Sequence, residues 1–151
     1  MLLYILKMEI SEKINKGWIQ ANLLFEILGR PKEHIIEVLD GLLIQLSKEK
    51  DVEVIKKKIY DPKEQKDLFS SYAEVEVITR TLQKLIEIIF DYMPSSIEIT
   101  APDNIPFKPC DANSVLNDLA TRLHQYDMGV RALKTQRDIL DAQLKDLKKK
   151  D

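Results

Sequence analysis

Two histidines, a single cysteine and a scatter of carboxylates are the residues of this 151-residue chain with the chemistry to catalyse or to bind a metal. His34 falls in the first turn of an expected helix, and His124 at an outward position of another. Neither has a Cys, His or carboxylate at the spacing that metal sites use. Cys110 lies in a proline-containing stretch with no neighbouring histidine to activate it, and one cysteine excludes an internal disulfide framework. The four glycines are not clustered, so no phosphate-cradling loop is expected. Gly29-Arg30-Pro31 reads most simply as a turn, although a helix N-terminus there would suit an anion. The expectation is no catalytic centre, no cofactor and no metal.

The carboxylates matter only if strands bring them together. Four segments read as helix and four as strand. Residues 3–16 suit a short amphipathic helix through Leu6, Ile10 and Ile14, stopped by Gly17. Residues 18–28 alternate as a strand. Residues 31–50 carry a helical stripe of Ile35, Val38, Leu39, Leu42 and Leu46. Residues 51–61 form a second strand whose run Lys56-Lys57-Lys58 looks like protection of a sheet edge. A polar loop at 62–67 leads to a strand over 68–78, with Phe69, Ala73, Val75 and Val77 on one face and Tyr72, Glu74 and Glu76 on the other. Thr81 caps a helix to Met93, striped by Leu82, Leu85, Ile86, Ile89 and Met93. Ser96 to Ala101 is the last strand, and a linker over 102–112 leads to a final helix beginning near Asp111 or Asn113.

After the first helix the order predicts an α+β domain of the ferredoxin-like βαββαβ type: an antiparallel sheet with two helices on one face. Residues 1–110 form this domain with its N-terminal extension, and 111–151 the long C-terminal helix. The first and third strands would then be central neighbours. Glu26, Tyr72, Glu74 and Glu76, with Glu98 from the edge, would line the open face as an acidic patch. A solvated face, or one covered by basic side chains, is the simpler reading beside metal or acid chemistry. RNA-binding sheets of this layout carry a stacking aromatic trio in basic surroundings. Here only Trp18 and Tyr72 could stack.

The final helix carries the clearest pattern. Leu116, Leu119, Leu123, Tyr126, Val130, Leu133, Arg137, Leu140, Leu144 and Leu147 recur at spacings of three and four, with Arg137 the one charged position. Such a stripe over more than four heptads marks a coiled-coil seam. A helix over 113–149 would run about 55 Å at 1.5 Å per residue, beyond the roughly 30 Å of a small domain. With Leu116 as position a, a parallel pair would set Arg122 against the partner's Asp127. Packing of the stripe against its own domain is the competing arrangement.

The runs GWIQANLLFEILGRPKEHIIEVL, AEVEVI and YMPSSIEI resemble small archaeal proteins of ferredoxin-like build to which no activity is assigned. The resemblance covers about residues 18–126, contains no catalytic motif and transfers no site. A looser likeness to ACT-type regulatory domains would imply amino-acid binding at a subunit interface, with Gly29-Arg30-Pro31 only partly matching their glycine turn.

The net charge of −2, from 23 basic and 25 acidic residues, is no footprint of a nucleic-acid binder. The apolar opening stops at Lys7, too short for a signal core or a membrane span. These features predict a cytoplasmic, non-enzymatic protein-interaction module. Its partner is a second copy in a homodimer or higher homo-oligomer, or another protein, and neither nucleic acid nor membrane. The alternative is a small-ligand regulatory domain.

Overall fold

The computed structural model describes the backbone from Leu2 to Lys148, with side chains from Lys7 onward. The chain divides into two compact units, Met1–Pro106 and Phe107–Asp151. The first unit contains α1 (Leu2–Asn15), β1 (Ile19–Gly29), α2 (Lys32–Leu46), β2 (Val52–Ile59), β3 (Lys63–Gln65), β4 (Leu68–Thr79), α3 (Leu82–Tyr92) and β5 (Ser96–Ala101). The second is one helix, α4 (Pro109–Leu147). Among the described residues the architecture is α+β: a five-stranded antiparallel sheet and four helices.

Strand order in the sheet is β2-β4-β1-β5, with the short β3 also paired to β4. The two longest strands form its centre, β1 running against β4 in unbroken register from Ile19↔Thr79 to Gly29↔Phe69. Alternation fixes what each face holds. Ile19, Ala21, Leu23 and Phe25 of β1 and Ala73, Val75 and Val77 of β4 are buried beneath the helices. Ile35, Leu39, Leu43 and Leu46 of α2 complete the core with Leu85 and Ile88 of α3.

Local chemistry sets the ends of the elements. Gly17, at φ +91, closes α1 in a left-handed conformation, its N–H bonding to the Ile14 carbonyl at 2.9 Å. Thr81 caps α3 by accepting from the Lys84 N–H at 3.1 Å, and Met93 ends the helix at φ 49. At the start of β5, Ser95 donates its backbone N–H to the Leu24 carbonyl at 2.7 Å.

Several sequence expectations need correction. In α3 the core side is Leu82, Leu85, Ile88 and Tyr92, not the face through Ile86 and Ile89. Adjacent isoleucines at 88 and 89 allow two stripes, and Tyr92 decides between them: its ring packs on the core while its hydroxyl reaches Glu49 at 2.7 Å. In α2, Val38 is exposed and Leu43 takes the buried place. Residues 62–67 are not all loop, because β3 and the start of β4 make a hairpin turned at Lys66 and Asp67, with Lys66 at φ 56. No Asn-Gly or Asp-Gly pair announces this turn. Helix α4 starts at Pro109, where the ring's fixed φ suits a first helical position, so Cys110 lies within its first turn. Of the α1 stripe, Ile10 and Ile14 are half-buried, and the Leu6 side chain lies outside the described residues.

Candidate functional site

The open face of the sheet and the stripe on α4 hold the residues singled out by the sequence. On the sheet, alternation and register bring the carboxylates to one surface. Glu74 of β4 is opposite Leu24 of β1, Glu76 is opposite Asn22, and Asn22 is flanked on its other side by Glu98 of β5. Glu26 lies opposite Tyr72. All five predicted patch residues share this surface.

The surface is not purely acidic. A bulge between Val54 and Lys56 shifts the phase of β2 by one residue, so Lys56 lies in register with Glu76 and Lys58 with Glu74. The lysines of the edge strand therefore stand beside the carboxylates. Tyr60 extends the arrangement: its ring stacks on Tyr72 at 4.2 Å between centroids, and its hydroxyl donates to Glu74 Oε2 at 2.8 Å. The Lys58 ammonium sits over the Tyr60 ring at 4.1 Å. The interaction with Tyr60, and then the field of Glu74, holds the Lys58 ammonium above the usual lysine range. Gln20 Nε2 donates to Glu76 Oε1.

A shallow cavity of about 550 Å³ lies on this face, lined by Asn22, Lys56, Lys58, Tyr60, Glu74 and Glu98 among others. Lys56 and Lys58 line its β2 side and Glu74, Glu76 and Glu98 the strands beyond, with Glu76 accepting from Gln20 and Glu74 from Tyr60. Such a surface presents both donors and acceptors. No group of three or more His, Cys, Asp or Glu side chains able to hold a metal comes together among the described residues.

Lys56, Lys58 and Tyr60 are the members of this face that sequence reasoning missed. A signal was present: Val52 and Val54 fall on even positions and Ile59 on an odd one, and a parity change within one strand requires a bulge.

A second polar cluster joins the end of α2 to α3. Glu49 accepts from Lys84 Nζ at 2.8 Å and from the Tyr92 hydroxyl at 2.7 Å. Hydrogen bonds from Lys84, then from Tyr92, hold the Glu49 carboxyl below its usual range. The bond to Glu49 raises Lys84. Burial, reinforced by Glu49, pushes the Tyr92 phenol up to about 12. Each member is satisfied by the others, and the cluster fastens α3 in the phase that buries Ile88.

Helix α4 has 39 residues, about 58 Å at 1.5 Å per residue, and buries none of them. Leu116, Leu119, Leu123, Tyr126, Val130, Leu133, Leu140, Leu144 and Leu147 are all exposed, from 37% at Leu119 to 67% at Leu133. Arg137, on the same stripe, pairs with Asp138 at 2.6 Å, and Arg131 with Asp127 one turn away at 2.8 Å. His124 and Cys110 are exposed on this helix and His34 on α2. No helix of the described residues is long and apolar enough to cross a membrane.

No curated protein and no solved structure matches the chain. A family model does, over residues 20–149, from the second residue of β1 to two residues past Leu147, the last of α4. The chain belongs to the MJ0538 family.

Proposed function

We propose that the protein is a non-enzymatic interaction module that self-associates through α4, as a homodimer or a higher homo-oligomer, in the cytoplasm. The observation that carries this reading is the exposure of nine apolar or aromatic side chains at heptad spacing on one helix. Apolar surface repeated in this way marks an interaction site. Burying a leucine is worth roughly 1.5–3 kcal/mol, so several in one seam outweigh the cost of association. The first unit is read as a ferredoxin-like domain. Support comes from the order β2-β4-β1-β5, which is that of a split βαβ pair once the three-residue β3 is set aside. The single cysteine suits a reducing compartment.

Replacing Leu133 and Leu140 together by Gln tests the reading. The variant is expected to sediment as a monomer and to keep the thermal transition of the first unit. An unchanged oligomer would refute it. The cavity on the sheet favours a second reading, a small-ligand regulatory domain of ACT type, since its volume lies within the range of ligand pockets. A melting point raised by an excess of an amino acid would support that alternative.

A further inference from the structure

We infer that the copy seated on α4 runs antiparallel over residues 127–148, in the register that sets Lys134 beside the partner's Asp141 and leaves Leu116, Leu119 and Leu123 outside the paired segment. This rests on the self-association reading and adds the direction of pairing. With Leu116 as position a, Arg137 is also an a residue, lying between Leu133 and Leu140 on the stripe. In a parallel, in-register pair each a residue meets its own copy, so two guanidinium groups would share one layer of an apolar seam. Reversing one helix matches a with d. Arg137 then meets the partner's Leu140, with the partner's Asp141 the next residue along, and keeps its own Asp138 at 2.6 Å.

The flanks select the same direction. Positions e are Ala120, Asp127, Lys134, Asp141 and Lys148, and positions g are Val115, Arg122, Gly129, Gln136 and Gln143. In a parallel pair e meets g. The one attractive pair is then Arg122 with Asp127, while Lys134, Asp141 and Lys148 meet uncharged residues. In an antiparallel pair e meets e, and from Asp127 onward these residues alternate in sign. Setting Lys134 against the partner's Asp141 also sets Asp127 against the partner's Lys148. The twofold axis repeats both, giving four attractive pairs and no repulsive one. Sliding by one heptad sets either Asp141 or Lys134 against its own copy, so the charges also fix the register. Asp127 already binds Arg131 at 2.8 Å within its helix, which makes its pair the weaker of the two.

Cys110, exposed in the first turn of α4, is a native reporter of direction. An antiparallel pair centred between residues 137 and 138 holds the two cysteines roughly 80 Å apart at 1.5 Å per residue. A parallel pair holds them about 10 Å apart, the spacing of packed helix axes. The full chain, labelled at Cys110 with donor and acceptor dyes and mixed, is expected to sediment as a dimer with almost no energy transfer. A dimer with near-complete transfer would overturn the antiparallel inference and leave self-association standing, whereas a monomer at tens of micromolar would overturn both. As an independent check, Lys134→Glu with Lys148→Glu is expected to weaken the dimer roughly tenfold or more. Mixing this variant with an Asp127→Lys, Asp141→Lys chain should restore pairing. An unchanged dissociation constant for the first variant would also reject the antiparallel register, because parallel helices set both lysines against uncharged residues.

Discussion

Lys56 on the edge strand stands in register with Glu76 on the neighbouring strand, so the lysine run that guards the sheet edge also sets positive charge beside the carboxylates of the sheet face. The next pair along, Lys58 and Glu74, is tied into Tyr60, whose hydroxyl donates to Glu74. An isolated carboxylate cluster would be relieved by losing a charge, and this one is not isolated. Glu74→Gln is therefore expected to destabilise the fold by about 0.2–1 kcal/mol, the worth of one cross-strand polar pair. Urea unfolding of the variant beside the parent measures it, and a gain in stability would show that repulsion among the carboxylates prevails.

The phase of α3 can be read by two single substitutions. Ile88 is buried and Ile89 only partly so. Ile88→Ala is expected to cost about 2–5 kcal/mol, as does Leu39→Ala on α2, while Ile89→Ala costs distinctly less. Equal losses at 88 and 89 in chemical denaturation would contradict the phase described.

The Glu49–Lys84–Tyr92 cluster makes stability depend on pH at both extremes. The Glu49 carboxyl is held below its usual range, so its contribution is present above the ordinary carboxylate pKa and is lost as pH falls through the folded value. Tyr92 has the opposite sign. Its folded pKa of about 12 lies above the ordinary value near 10, so its contribution is full below pH 10 and is lost as pH rises through about 12. Lys84, also raised, acts in the same alkaline direction. Tyr92→Phe should lower the melting temperature at neutral pH and flatten its fall between pH 10 and 12. A parallel displacement of the two curves across that range would show that Tyr92 does not titrate as described.

Much of the fold was legible because it rests on short-range periodicity. β1 and β4 alternate over most of their length, and their inward residues Leu23, Phe25, Val75 and Val77 are buried. Helix α4 announces itself by spacing alone. What escaped the sequence depends on non-local packing or on local geometry without a residue signature. The choice between Ile88 and Ile89 is made by Tyr92 reaching Glu49, which comes from the turn after another helix. The hairpin at Lys66-Asp67 uses a positive φ on a residue that does not advertise it. On the candidate face, the carboxylates followed from alternation, whereas the opposing lysines followed from a bulge that moves β2 by one position.

Sedimentation equilibrium of the intact chain at tens of micromolar tests the central claim most directly. The exposed leucines of α4 predict a species of twice the chain mass or a higher multiple, in reversible equilibrium with its subunits. A single species of one chain mass throughout that range would contradict self-association through the heptad stripe.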